Sequence, residues 1–202
     1  MAWPISAALE SGCFDHIIVS TEDERITDLA RMWGAEVPFR RPDELSGDHV
    51  TTRAVVTHAI REIEVKYEQP EFVCCLYPTA PFVEAKDLKE GLEALRKSEC
   101  DFAFTVTKFS HPVHRGFRIN AGKRIEMLFP EHRFTRSQDL EDIYHDAGQF
   151  YWGRAQAFLE ERLMFSEAAI PIVLPCYRVQ DIDTAEDWTR AELMFRGLRQ
   201  MV

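Results

Sequence analysis

Short apolar runs alternate along the chain with stretches whose apolar positions follow helical spacing. The run Phe72 to Leu76 is continuously apolar, which is typical of a strand buried on both faces. The other predicted strands are residues 16–20, 36–40, 101–107 and 149–152. The predicted helices cover about residues 24–33, 51–67, 85–97 and 185–200. This alternation indicates βαβ units, so we expect an α/β fold with a mainly parallel sheet flanked by helices.

Two pairs of residues have the spacing of a helix-starting capping box. Thr21 with Glu24, and Thr184 with Asp187, are each predicted to begin a helix. The first twelve residues are typical of a helix already under way, with Pro4 in its first turn. A parallel sheet normally opens with a strand and a phosphate-binding turn, and the sequence contains neither G-x-G-x-x-G nor G-x-x-x-x-G-K-[ST].

Length and charge narrow the class of protein. The 202 residues fit one domain, and a net charge of −10 argues against general nucleic-acid binding. No apolar run approaches the roughly 20 residues of a membrane-spanning helix. The first eleven residues lack the basic segment and cleavage pattern of a secretory signal, so we expect a cytoplasmic protein without a membrane or nucleic-acid partner.

Residues 110–146 depart from the pattern, because they are irregular and rich in His, Arg and Gly. Residues 108–136 contain seven basic and two acidic side chains within an acidic chain. Such a local reversal of charge fits a pocket or interface for an anion, and it fits a solvated loop equally well. His111 and His114 lack third and fourth ligands at zinc spacing, which disfavours a zinc site.

The sharpest candidate for chemistry is the pair Asp181 and Asp183. In an extended segment, residues two apart share a face, so both carboxylates would point to one spot. Mg²⁺ prefers such oxygen ligands and completes its shell with water and phosphate oxygens. The same residues also fit a polar segment that leads into a capped helix.

Three further segments are candidates for binding. The loop from Arg41 through Asp48 to Thr52 suits contact with a base or ribose, and it also suits a surface turn that caps the next helix. The turn after Leu76 lies where ligands bind in open α/β sheets, outside the carboxyl end of a strand. The density of polar groups in residues 136–152 is not explained by packing, and Arg136 suits bidentate binding of a carboxylate.

Taken in order, these segments resemble the CMP-sialic acid synthetase (acylneuraminate cytidylyltransferase) family. The matching runs are Ile18-Val-Ser-Thr-Glu-Asp23, Arg41-Pro with Asp48, Leu76-Tyr-Pro-Thr-Ala-Pro81 and Asp181-Ile-Asp-Thr-x-x-Asp-Trp188. Residues 144–153, preceded by Arg136-Ser-Gln138, are most similar to the pseudaminic acid cytidylyltransferase branch. The resemblance implies a Rossmann-like nucleotide-diphospho-sugar transferase fold and transfer of CMP from CTP to a nonulosonic acid, with release of pyrophosphate.

The resemblance also assigns roles to residues. Asp181 and Asp183 would be catalytic and would hold Mg²⁺ or Mn²⁺. The positions implied at CTP are Arg41, Asp48 and Thr52. Those implied at the sugar are Tyr77, Pro78, Thr79, Ala80, Arg136, His145, Gln149 and Tyr151. Met164 and Phe165 fall where related enzymes reach into a partner's site, which implies a homodimer, with residues 110–146 as an insertion for sugar binding and dimerisation.

The sequence departs from the family pattern in two ways. Tyr77 stands where sialate synthetases usually carry Gln, and Ala147 where they carry Asn, and both changes indicate a sugar different from sialic acid. The family opens with a strand and a Gly/Ser/Lys/Arg-rich phosphate loop that residues 1–202 lack, so we expect an N-terminally truncated single domain whose own activity is in question.

Rival hypotheses stay open at this point. One is a CMP-sialate synthetase. Another is a D-x-D glycosyltransferase, although there the motif typically sits mid-chain, whereas Asp181 lies about 20 residues from the end. A third is a catalytically inactive domain that dimerises through residues 110–146.

Overall fold

The computed structural model describes residues 1–199, which form six helices and six strands. The helices are α1 (Ala2–Ser11), α2 (Glu24–Met32), α3 (Thr52–Lys66), α4 (Ala85–Arg96), α5 (Ala155–Leu159) and α6 (Ala185–Arg199). The strands are β1 (Phe72–Leu76), β2 (Phe102–Lys108), β3 (Phe117–Ile119), β4 (Ile125–Met127), β5 (Tyr144–Arg154) and β6 (Ala169–Leu174). The predicted α/β fold is confirmed. The last residue of the final predicted helix, Gln200, lies outside the described residues.

The main sheet is mixed, in the order β1-β5-β2-β6. Strand β2 pairs in parallel with β6, and β5 lies between β1 and β2, antiparallel to both. The reversal follows from the path of the chain after β2. It leaves the sheet there and returns at the same end, where the Phe109 amide donates to the Ile143 carbonyl at 3.0 Å. Strand β5 therefore runs back along β2.

The two predicted strands nearest the N-terminus form one parallel bridge, between Ile18 and Glu36, rather than a ladder. Across from them, β1 is half-buried along its length, because it pairs only with β5. Residues 15–20 and β1 line the two sides of a groove of about 810 Å³. Within residues 1–199, neither side has a strand partner in the groove.

Helices cover both faces of the sheet. On one face, α1 and α4 pack over Phe150 and Trp152, and α4 buries Leu88, Leu92 and Leu95 at the i, i+4, i+7 spacing of a single helix face. On the other face, α3 and α5 pack over a second core cluster. None of the helices in residues 1–199 has the length and apolar composition of a membrane span.

The two predicted capping boxes have different outcomes. At α6, the Asp187 amide donates to Thr184 Oγ1 at 3.2 Å and the Thr184 amide donates to Asp187 Oδ2 at 3.0 Å, which confirms the box. At α2 the prediction is wrong, because Asp23 is the N-cap and its carboxylate accepts from the Arg25 and Ile26 amides. Thr21 Oγ1 instead accepts the Asp23 amide at 3.1 Å.

Residues 110–146 are largely irregular, as expected, but they contain the antiparallel hairpin of β3 and β4. The sequence patterns did not identify this hairpin, β6 or α5. The hairpin exposes large apolar side chains, since Phe117, Ile119 and Ile125 are 53%, 76% and 71% exposed. The hairpin, called the β3–β4 arm below, therefore presents three large apolar side chains to solvent.

Candidate functional site

The candidate residues converge on the end of the sheet where β1 and β6 finish and β5 begins. Tyr77 directly follows β1, and Asp146 lies near the start of β5. Asp181 follows β6 after a 3₁₀ turn at Cys176–Arg178. Ligands of open α/β sheets bind at this carboxyl end of the strands. The fold therefore collects segments that are far apart in sequence at one edge.

Four polar side chains lie next to one another along this edge and are called the hydroxyl chain below: Thr52, Tyr77, Tyr151 and Asp146. The Tyr151 hydroxyl donates to Asp146 Oδ2 at 2.6 Å. The Tyr77 ring lies 5.2 Å from the Tyr151 ring, and its hydroxyl bonds Thr52 Oγ1 at 3.1 Å. Burial raises the pKa of Tyr151, and the bond to Asp146 raises it further, so the phenol stays protonated. These groups present fixed hydroxyl donors and acceptors to a ligand.

Sequence reasoning missed Asp146. Its Oδ1 accepts the Gly148 amide at 2.9 Å, and Gly148 has a φ of 61°, a conformation that glycine adopts without strain. The Asp-x-Gly spacing is a recognised turn signal, because Asp side chains bond the backbone two residues on. That signal could have identified Asp146 as a residue that fixes the start of β5.

Asp181 and Asp183 lie in the irregular segment between the 3₁₀ turn and α6. Partial burial raises the pKa of Asp181, followed by the negative charge of Asp183 and, more weakly, that of Asp146. Asp181 also adjoins Gly148, since a Cβ on that glycine would lie 3.5 Å from the Asp181 carboxyl carbon. A cation bound at these carboxylates would offset the negative charge that raises the pKa of Asp181.

The oxygen donors at this edge fit a hard cation. Residues 1–199 contain no group of three or more His, Cys, Asp or Glu side chains arranged to hold a metal ion. Mg²⁺ is usually bound through only one or two carboxylates, with waters and substrate phosphates completing its shell. Asp181 and Asp183 suit that mode, and they do not suit a closed site made of protein ligands alone.

A cavity of about 960 Å³ opens beside the hydroxyl chain. Thr52, Tyr77, Asp146 and Tyr151 contribute polar groups to its lining, and residues 163–165 contribute apolar ones. The Phe165 ring packs edge-on against Phe104 at 5.2 Å. The cavity therefore has both hydroxyl groups and an apolar wall, as sites for small organic ligands do. Met164 and Phe165 line this cavity in their own chain.

The residues predicted at the nucleotide are only partly brought together. Arg41 and Thr52 both line the groove between residues 15–20 and β1, as do Tyr77 and Pro78. The Arg41 Nη2 donates to the Ser20 carbonyl at 2.5 Å, which holds the guanidinium against that segment. Asp48 is exposed on the loop before α3 and lines neither the groove nor the cavity.

Two residues predicted at the sugar are buried in the core. Ala80 is 1% exposed and packs with the cluster under α4, and Gln149 is 2% exposed. The Gln149 side-chain amide donates to the Arg178 carbonyl at 2.6 Å. Neither side chain lines the cavity or the groove, so the structure argues against sugar contacts by both. Tyr151, which is 5% exposed, does line the cavity. Gln149 instead connects β5 to the 3₁₀ turn.

Four further predicted sugar residues are exposed but lie outside the cavity lining: Pro78, Thr79, Arg136 and His145. Arg136 binds Asp139 through two hydrogen bonds, at 3.0 and 3.1 Å. His145 Nδ1 bonds the Asp146 carbonyl at 2.8 Å, and its ring packs on Phe109. Pro78 and Thr79 form an exposed turn, in which the Pro78 carbonyl accepts the Met1 amino group at 2.8 Å.

The chain is similar to known proteins over nearly its whole length. The family model described as cytidylyltransferase matches residues 1–196. A pseudaminic acid cytidylyltransferase of Campylobacter jejuni is 38% identical over 196 residues, covering 97% of this chain and 84% of the relative. A CMP-N,N'-diacetyllegionaminic acid synthase of Legionella pneumophila is 29% identical, covering 95% of this chain and 83% of the relative.

Among solved structures, CMP:2-keto-3-deoxy-manno-octonic acid synthetase complexed with CTP superposes with a TM-score of 0.65. It is 13% identical and covers 96% of this chain and 86% of its own. At that identity the likeness supports the fold alone, and the fold is that of a Rossmann-like nucleotidyltransferase.

Proposed function

The chain belongs to the cytidylyltransferase family, and we propose that it transfers CMP from CTP to a nonulosonic acid, specifically pseudaminic acid, releasing pyrophosphate in the cytoplasm. The observation that carries the proposal is the position of Asp181 against Gly148, at the same carboxyl end of the sheet where Tyr77, Asp146 and Tyr151 line a cavity. The named function of the Campylobacter jejuni relative supports the choice of sugar.

The residues divide between the two substrates. Arg41 and Thr52 are placed in the groove that adjoins β1, where they would bind the nucleotide. Tyr77 and Tyr151 line the cavity, where their hydroxyl groups would orient the sugar. Positioning and charge stabilisation of this kind account for most of the rate enhancement in phosphoryl transfer.

Asp181 and Asp183 are the residues that would hold a divalent cation, Mg²⁺ or Mn²⁺. Such an ion supplies Lewis-acid chemistry, which neutralises phosphate charge and lowers the pKa of a bound hydroxyl. The Asp146 carboxylate holds the Tyr151 hydroxyl as a hydrogen-bond donor, at 2.6 Å, so that the phenol oxygen's remaining lone pairs face the ligand. The apolar wall at Met164 and Phe165 suits a deoxygenated sugar better than a polyhydroxy one.

The groove between residues 15–20 and β1 bears on how the triphosphate is held. Both sides carry strand edges without a partner among residues 1–199, and such edges readily accept another strand. We propose that a strand and phosphate loop outside these residues complete the sheet here.

A homodimer is part of the proposal, with residues 110–146 as the interface. The exposed Phe117, Ile119 and Ile125 on the β3–β4 arm support it, because large apolar surfaces on small proteins commonly mark contact sites. Analytical ultracentrifugation tests it. The unmodified protein is expected to sediment as a dimer and the Ile119→Lys variant as a monomer, whereas a monomeric unmodified protein would remove this part of the proposal.

The function is tested by pyrophosphate release with CTP, Mg²⁺ and a panel of acceptors. Two forms of the protein are assayed. One is residues 1–202, and the other is the same residues fused, ahead of Met1, to the strand and phosphate loop of a relative. We expect release with pseudaminic acid in the fused form and little with N-acetylneuraminic acid. Preference for N-acetylneuraminic acid would indicate a sialate synthetase, and binding of UDP-sugars but not CTP a glycosyltransferase. Silence of both forms would indicate an inactive domain.

A further inference from the structure

A buried ion pair lies just before the aspartate pair in the chain. Arg178 belongs to the 3₁₀ turn that follows β6 and is 6% exposed, and Asp87 in the first turn of α4 is 3% exposed. The guanidinium donates to both Asp87 oxygens, at 2.7 and 3.1 Å, and lies 3.0 Å from Glu84 Oε1. A planar guanidinium with two parallel bonds to a carboxylate is fixed in direction as well as position.

The same turn is held from a second side. The Gln149 side-chain amide, buried in β5, donates to the Arg178 carbonyl at 2.6 Å. The Arg178 side chain therefore binds α4 while its backbone binds β5. Asp181 is only three residues further on, which limits its distance from this anchor to roughly 10 Å. Between Arg178 and Asp181, the side chain of Gln180 also contributes. Its Nε2 donates to the Asp181 carbonyl and to Asp187 Oδ1, which links the segment to α6.

We propose that Arg178 is a positioning residue for Asp181 and Asp183, acting through its bidentate pair with Asp87. This role rests on the proposed function, in which the two aspartates hold the divalent cation. The segment that carries them has no strand or helix of its own, so the turn before it and the capping box after it determine its path. Arg178 is the buried part of that support.

The chemistry of the pair favours positioning over stability. Taking two charges out of water costs much of what their attraction returns, so apolar residues of similar volume often stabilise a fold as well or better. What apolar residues do not supply is a fixed direction. The pair lies at the end of the sheet where the candidate site is, and Asp87 also benefits from the N-terminus of α4.

The test compares Arg178→Lys with a matched control, Arg154→Lys. Lysine keeps the charge in both but provides a point donor in place of the planar fork. Arg154 is a half-buried arginine at the opposite end of α4 and bonds the carbonyls of Leu95, Ser98 and Cys100. The readouts are amide hydrogen exchange of residues 179–184 without substrate, Mn²⁺ binding with CTP present by electron paramagnetic resonance, and Tm.

In Arg178→Lys we expect exchange of residues 179–184 to accelerate and the half-saturating Mn²⁺ concentration to rise about tenfold, as when groups that orient metal ligands are removed. Asp87→Asn, which keeps the shape and removes the charge, should do the same. Arg154→Lys should lower Tm while leaving both readouts unchanged. The proposal is overturned if Arg178→Lys and Asp87→Asn lower Tm with no change in exchange at residues 179–184.

The exchange measurement needs neither turnover nor metal. If both the unmodified protein and the fused form fail to turn over any sugar, the proposed function fails while the exchange result still decides the positioning role. If exchange is unchanged and turnover is normal, the positioning role fails and the proposed function stands.

Discussion

Helix α4 is held at each end by an arginine from another element, and the two ends differ in what surrounds that arginine. At the C-terminal end, Arg154 donates to the carbonyls of Leu95, Ser98 and Cys100. Its guanidinium also lies 5.3 Å from the centre of the Phe72 ring. At the N-terminal end, Arg178 binds the carboxylates of Asp87 and Glu84.

The difference indicates which end is functional. The acceptors of Arg154 are backbone carbonyls of the last helical turn and of the loop after it, so this arginine completes the helix end. The acceptors of Arg178 are charged, and the chain leads from it to Asp181 and Asp183. Both ends are firmly held, but the N-terminal end is the one that lies with the carboxyl termini of β1 and β6, where Tyr77, Asp146 and Tyr151 line a cavity.

The largest effect should come from Asp183→Asn, assayed in the fused form described above. Loss of this negative charge at the candidate cation site is expected to lower kcat by 10²-fold or more, on the order of losing one strong transition-state contact. Because Asp183 is exposed, the Tm of the variant should differ little from that of the unmodified protein. Glu93→Gln, an exposed change near the other end of α4, is the control. Near-normal rates for Asp183→Asn would contradict the claim that the N-terminal end of α4 is the functional end.

The next effect concerns stability at the other end. Arg154→Ala removes the arginine donor from the Ser98 and Cys100 carbonyls, while the Leu95 carbonyl keeps the Ser98 amide, and should lower the free energy of unfolding by about 1–3 kcal/mol. The kcat of the folded fraction should stay within twofold, since no site residue contacts Arg154. Urea unfolding and an assay at matched folded concentration measure the two quantities. A loss of kcat well beyond the unfolded fraction would show that this end also serves the reaction.

A smaller change is expected for Tyr151→Phe. The phenylalanine keeps the ring but removes the hydroxyl that donates to Asp146, so KM for the sugar should rise about tenfold while KM for CTP stays within twofold. Tyr67→Phe, which removes a hydroxyl bonded to Glu36 at 3.2 Å, is the matched control. Equal increases in both KM values would argue against a sugar contact for Tyr151.

The smallest expected effect concerns the exposed ion pair of Glu93 and Lys97, near the C-terminal end of α4. The hydrogen bond from Lys97 lowers the pKa of Glu93 below its ordinary value of 4.5. A lowered folded-state pKa means that the pair's stabilisation is present above pH 4.5 and is lost as pH falls through the folded-state pKa. Carboxyl NMR titration should show this shift, and Lys97→Met should abolish it. An unshifted Glu93 in the unmodified protein would remove the pair as a feature of this end.

Local signals in the sequence predicted most of the helices and strands. Strand β1 and helices α3 and α4 lie within a residue or two of their predicted bounds, because continuous apolar runs and helical spacing are properties of neighbouring residues. Residues 16–20 and 36–40 have the composition of strands but form a single bridge. Pairing depends on a partner strand, which composition does not reveal. The reversal of β5 likewise depends on where the chain re-enters the sheet.

The candidate site was predictable in type and less so in detail. The D-x-D spacing indicated Asp181 and Asp183, and the turn after β1 indicated Tyr77. Burial, which depends on the whole fold, then placed Gln149 in the core. The Asp87–Arg178 pair joins residues 91 apart in sequence, and no local pattern identifies such a partner.

The central claim is that Asp181 and Asp183 share one divalent cation with the phosphates of CTP. Anomalous diffraction from crystals of the fused protein, soaked with Mn²⁺ and CTP, tests it directly. The account predicts one strong anomalous peak in contact with both carboxylates and with phosphate oxygens of the nucleotide. A peak bound to the phosphates alone, with both aspartates directed away from it, would contradict the account.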